Sequence, residues 1–179
     1  MSGEGADDRE PTPRGRRERP AVPAYQRALG LLVRREHSAT ELKRKLRGKG
    51  VEVDELDAAV ETLQRQGFQD DRRYAEALVR SRALAGQGPI RIRAELRVNG
   101  VPAADVDAAF EAAEAEGLDW ADTAARVAAR FLPALRGAER GAEAIKLRHK
   151  ALGFLLRRGF SQDQARQALA LRAEGDDEP

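Results

Sequence analysis

Slid fifty positions along itself, the chain meets its own pattern. Leu42 falls on Ile92, Leu46 on Leu96, Gly50 on Gly100 and Val51 on Val101; Leu56 then falls on Val106, Ala59 on Ala109 and Val60 on Phe110. A further shift of fifty-nine brings a fainter third copy into line at Leu155, Gly159, Phe160, Ala165, Ala168 and Leu169. Glycine, apolar and charged positions coincide together and without gaps, which chance leucine matches do not produce. A period of this length is the mark of an array of small units rather than one large core.

Each copy reads as three helices. An aromatic opens the first: Tyr25, Tyr74 or Trp120, followed by apolar residues at helical spacing (Ala28, Leu29, Leu32; Ala77, Leu78; Ala124, Val127, Phe131). The second starts with Ser38 and Glu41 as a capping box in copy one, and with Pro89 as its first residue in copy two. It ends at Gly50, Gly100 or Gly159, each where a left-handed residue is wanted. The third carries Val53, Leu56, Ala59, Val60 and Leu63, spaced like Ala103, Val106, Ala109, Phe110 and Ala113; Ser161 and Gln164 form another capping box. No stretch alternates as a strand does.

The expected fold class is therefore all-α: three tandem three-helix repeats in an elongated, curved array, stacked so that one continuous core is buried. The units are placed at 21–69, 70–118 and 119–171, between a disordered Pro/Arg-rich tail (1–20) and an acidic disordered tail (172–179). The segment 133–144 is either a looser connection or an extended helix start.

Charge follows the same period. Residues 27–50 carry net +6, 51–71 net −6, 72–100 net +5, 101–125 net −7 and 126–160 net +7, so the overall +2 conceals the pattern. The basic clusters are Arg34, Arg35, Lys43, Arg44, Arg47 and Lys49; Arg72, Arg73, Arg91, Arg93 and Arg97; and Lys146, Lys150, Arg157 and Arg158. Stacking would align them in a stripe that attracts phosphate or an acidic protein surface. The acids of the third helices, Asp54, Glu55 and Glu61 with Asp105 and Glu111, either line a second stripe for a partner of mixed charge or neutralise the basic helices of the neighbouring unit.

Chemistry is harder to find. "GFQDDRRYAEALV" (67–79) links two copies: Gly67 ends a helix, Phe68 plugs the junction, and Asp70 or Asp71 caps the next helix. "GQGP" (86–89) lacks the lysine and serine of a phosphate loop. His37 and His149 sit among charges with no second ligand at metal spacing, and read as surface residues. No catalytic set, metal site or cofactor motif emerges, and no enzyme is expected. Absence of cysteine, of a signal-like start and of any apolar run near ~20 residues points to a cytoplasmic protein with no membrane contact.

"ALGLLVRREHSATELKRKLRGKG", "GFQDDRRYAEALVRSRA", "IRAELRVNGV" and "LGFLLRRGFS" together resemble the RecX family of bacterial recombination regulators, over about residues 24–170. Tyr74 stands where that family often has phenylalanine, and Asn99 where lysine is common. The resemblance implies a monomeric, non-enzymatic protein of three tandem three-helix units. Its partner would be a RecA-type recombinase and the nucleoprotein filament that recombinase forms. ATP hydrolysis, strand exchange and co-protease activity would be curbed, which bears on recombination, repair and the SOS response. The alternative is a DNA-binding helical array acting on recombination indirectly, with direct DNA contact through the basic helices.

Overall fold

The structure, a computed structural model, describes residues 23–138 and 141–170; both expected tails fall outside them. Helices α1 (Ala24–Leu32), α2 (Ala39–Arg47) and α3 (Val53–Arg65) form the first unit, and α4 (Asp71–Leu84), α5 (Pro89–Val98) and α6 (Ala103–Ala115) the second. In the third, α7 (Trp120–Ala128) runs through a 3₁₀ turn (Ala129–Phe131) into α8 (Leu132–Gly137), then come α9 (Ala142–Arg158) and α10 (Gln162–Ala170). No strand occurs among the described residues.

Local signals start and stop these helices as the sequence predicts. Ser38 Oγ accepts the Glu41 amide at 3.0 Å and Asp70 Oδ1 accepts the Arg72 and Arg73 amides; Asp119, which the sequence reading passed over, does the same for Ala121 and Asp122. The Ser161–Gln164 box closes in both directions. In the Ser38 box only the serine takes part, because the Glu41 side chain is engaged elsewhere. Asp71 does not cap α4; its Oδ1 accepts the Ala39 amide, so it holds the start of α2 in the preceding unit.

The core differs from expectation in being divided. In the first unit α1 packs on α3 over Leu42, Leu46, Leu56 and Leu63. In the second α4 packs on α6 around Ile92, Leu96, Val106 and Phe110, and in the third α7 packs on α10 around Leu155 and Phe160. Alanines such as Ala28, Ala109 and Ala165 let these helix pairs approach closely. Each fully buried leucine contributes about 2 kcal/mol. Val53 is nevertheless 49% exposed, and Ala103 is also exposed, so the first apolar position of each third helix lies outside the core.

Between the second helices of neighbouring units the contacts are polar and recur with one geometry. Ser38 Oγ, at the start of α2, donates to Asn99 O at the end of α5 (2.8 Å). Gly88 N and Ile90 N, at the start of α5, donate to Arg158 O and Gly159 O at the end of α9 (2.8 and 3.0 Å). The second helices are thus joined end to end, each positive N-terminus against the negative C-terminus of the next, a favourable alignment of dipoles. The second seam is tight: a Cβ on Gly88 would lie 2.4 Å from the Gly159 carbonyl, and Gly159 itself has φ +92°.

One junction residue departs from the sequence reading. Phe68 is 48% exposed and plugs nothing; Gln69 is buried instead, donating to His37 O and Asp71 Oδ1. Trp120 leans back from the third unit onto Phe110 of the second, ring centroids 5.5 Å apart, with its Nε1–H donating to Glu114. Of the ambiguous segment 133–144, the residues up to Gly137 belong to α8 and those from Ala142 to α9. That helix has 17 residues against 9 and 10 in α2 and α5.

Candidate partner-binding surface

The expected basic residues divide into those the chain satisfies itself and those it leaves open. Lys43 Nζ lies 2.9 Å from Asp57 Oδ1, and the equivalent pair fifty residues on, Arg93 and Asp107, is at 2.6 Å with the Arg93 guanidinium 4.2 Å over the Phe110 ring. These acids neutralise bases of their own unit rather than of a neighbour. Arg72 pairs with Glu76, and Arg73 with Glu36 across the first seam while also donating to the Gly67 and Phe68 carbonyls. Its hydrogen bond with Glu36 raises the Arg73 pKa despite some burial.

The second seam uses arginines to tie backbone. Arg91 Nη1 reaches Arg157 O at 3.4 Å, and Arg158 Nη1 donates to Ala85 O while stacking on Phe154. Arg126, which the sequence reading passed over, donates to Ala83 O. Arg34, Arg44, Arg47, Lys49, Arg97, Lys146, Lys150 and Arg157 are exposed, and their side chains have no bonded partner among the described residues. Of the acids, Glu55 accepts the Ala24 amide and so caps α1 (3.1 Å), whereas Asp54, Glu61, Asp105 and Glu111 have no such partner.

At the first seam the units enclose a cleft of about 510 Å³ lined by Arg35, Glu41, Arg44, Tyr74, Arg82 and Glu95 among others. Arg35 grips both oxygens of Glu41 (2.6 and 3.2 Å), and Arg82 grips Glu95 from the other wall (2.6 to 3.2 Å). Glu41 also lies 3.3 Å from Lys45 and 2.9 Å from His37 Nδ1, the latter contact poorly aligned for a hydrogen bond. Burial acts to raise the Glu41 carboxyl, but the hydrogen bonds from Arg35 and the closeness of His37 hold it at about 2. Burial pushes His37 below its ordinary value; Glu41 opposes this, and the charges of Arg35 and Lys45 add to it. Tyr74, whose hydroxyl accepts from Asn99 Nδ2 (3.0 Å), is raised to about 12 by burial.

His37 is thus a buried residue, 2% exposed, and not the surface group its charged neighbours in sequence suggest; His149 is exposed. The i, i+4 spacings His37–Glu41 and Glu41–Lys45 were the available signal. Among the described residues no group of three His, Cys, Asp or Glu side chains gathers as a metal site, and no helix is long and apolar enough to cross a membrane.

Residues 24–71, 70–109 and 121–169 match, in order, the first, second and third three-helix domains of RecX. The chain is 47% identical over 163 residues to the regulatory protein RecX of Xanthomonas axonopodis pv. citri (strain 306), covering 90% of this chain and 95% of that one. To the regulatory protein RecX of Stenotrophomonas maltophilia (strain K279a) it is 46% identical over 162 residues, covering 90% and 94%. The crystal structure of RecX from Lactobacillus salivarius superposes with a TM-score of 0.66 at 21% identity, over 82% of this chain and 92% of that one. A second RecX crystal structure gives 0.68 at 24% identity, over 82% and 71%. With all three units matched in order and nearly half the residues identical over most of its length, this chain belongs to the RecX family of regulatory proteins.

Proposed function

We propose that the chain is a non-enzymatic regulator in the cytoplasm that binds a RecA-type recombinase and its DNA filament, and inhibits ATP hydrolysis, strand exchange and co-protease activity. Family membership supports a regulatory role. The observation that carries the choice of a protein partner is the mixture of open charges on the first two units. Among the described residues, Arg44, Arg47, Lys49 and Arg97 stand unpaired on or just after the second helices, and Asp54, Glu61, Asp105 and Glu111 stand unpaired on the third. Nucleic acid would be repelled by those acids; a protein surface bearing both signs matches them, and such contacts steer association and weaken with salt.

Binding of the full chain to purified recombinase, with and without DNA, tests this reading. Charge reversal at Arg44, Arg47 and Arg97 should weaken binding to the assembled filament at least tenfold and relieve inhibition of ATP hydrolysis, while helicity by circular dichroism stays the same. Filament binding that is undiminished in this variant, or absent in the wild type, overturns the proposal.

A further inference from the structure

The third unit breaks the charge balance of the first two. Helices α3 and α6 each carry four acids, and Asp57 and Asp107 reach across to pair with a base on the second helix of their own unit. Helix α10 carries one acid, Asp163, and it pairs with no base of α9 among the described residues. Among the described residues, Lys146, Lys150 and Arg157 of α9 therefore pair with no carboxylate.

They are also aligned. With Ala151 and Leu155 buried toward the unit, the opposite side of α9 carries Lys146, Lys150 and Arg157, which fall within an arc of about 40° at 100° per residue. The rise of the helix sets Lys146 and Lys150 about 6 Å apart, and Lys146 and Arg157 about 16 Å apart. Between them the ridge is low: Gly153 exposes backbone, and a Cβ there would come within 3.3 Å of Arg157 Nη1, so the guanidinium lies along the bare stretch. His149 is exposed beside Lys150, and Glu143, in the first turn, is the single carboxylate of α9. Of residues 142–150 only Ala144 and Leu147 are even half-covered, so this half of the helix stands clear of its unit.

We infer that the outward ridge of α9, through Lys146, Lys150 and Arg157, is a nucleic-acid contact that takes the phosphate backbone without regard to base sequence. A row of cations with one acid, Glu143, a turn before its first lysine, and with a low profile complements a uniformly negative polymer. The mixed surface of the first two units does not. The ridge holds no side-chain amide in reach of base edges, so phosphate neutralisation and counterion release supply the affinity. The inference is independent of the recombinase reading, since DNA is offered alone.

Fluorescence anisotropy of the full chain with a short duplex, with the matching single strand, and with polyglutamate as an acidic-protein mimic, each across a salt series, tests it. The triple variant K146Q/K150Q/R157Q should bind both DNAs at least tenfold more weakly, with unchanged circular dichroism. The slope of log affinity against log salt should become shallower by about 2.7 for duplex and about 2 for single strand, three phosphates released in each. Scrambled sequences should bind alike, and R44Q/R47Q should change DNA affinity less than threefold. Wild-type DNA affinity in the triple variant, an equal loss in R44Q/R47Q, or loss of polyglutamate binding alone would each overturn the assignment. Loss of filament binding elsewhere, with the ridge still needed for naked DNA, would remove the recombinase reading and leave this one standing.

Discussion

Ser38 Oγ donates a 2.8 Å hydrogen bond to the carbonyl oxygen of Asn99, 61 residues away, while accepting the Glu41 amide of its own helix. One hydroxyl thereby starts α2 and fastens the second unit to the first. Ser38→Ala removes a helix cap and leaves a buried carbonyl without its donor, a loss of about 2–3 kcal/mol when the two effects combine. Urea denaturation should show that loss, and Ser38→Thr should recover most of it. Equal stability of Ser38→Ala and wild type would mean that the seam contributes nothing.

At the other seam the constraint is steric. Gly88→Ala would drive a Cβ to 2.4 Å from the Gly159 backbone, which no rotamer change relieves. Gly30, exposed within α1, has nothing within 4 Å of the same position. The expected outcome is opposite in sign: Gly88→Ala destabilises by about 2 kcal/mol or more, and Gly30→Ala stabilises by about 0.5–1 kcal/mol through helix propensity. Thermal melts of the two variants check both.

Acid should weaken the first seam in two stages. The folded-state pKa of His37 is below its ordinary 6.5 because burial outweighs the pull of Glu41. The unfolded chain therefore takes up the proton first, and stability present above pH 6.5 falls as pH drops through the folded value. Glu41, at about 2 when folded against 4.5, contributes stability above pH 4.5 that is lost between there and pH 2. Melting temperature followed from pH 8 to pH 3 should show both declines. His37→Gln should remove the first and keep the second.

What could be read in the sequence was local or periodic. The capping by Ser38 and Ser161, the start of α5 at Pro89 and the left-handed Gly50 and Gly159 involve only residues within one or two turns, so these roles follow from neighbours in the chain. The fifty-residue shift supplied Leu42, Ile92 and their partners as core. Exposure of Phe68 and the reassignment of Asp71 to the preceding helix depend on how the second unit approaches the first, which no local signal encodes; for His37 the i, i+4 spacing to Glu41 was the one local signal. Which of the expected bases pair within the chain depends on the same packing. Lys43, Arg72, Arg73, Arg93 and Arg158 are spent within the fold, and only their surroundings separate them from Arg44 and Arg47.

The Lys43–Asp57 and Arg93–Asp107 pairs sit at the surface, each partner 41–61% exposed, so they contribute little to stability, about 0–1 kcal/mol each. Their effect is on charge. If the third-helix acids screen the second-helix bases of the first two units, Asp57→Asn with Asp107→Asn should release two cations at almost no cost in folding. Naked DNA should then bind more tightly at low salt, with a slope against log salt steeper by up to about 1.8, as two further phosphates come into reach. Melting temperature should shift by no more than a few degrees. Unchanged DNA affinity and slope would show that these bases face away from the nucleic acid even when free, and would confine the phosphate contact to α9.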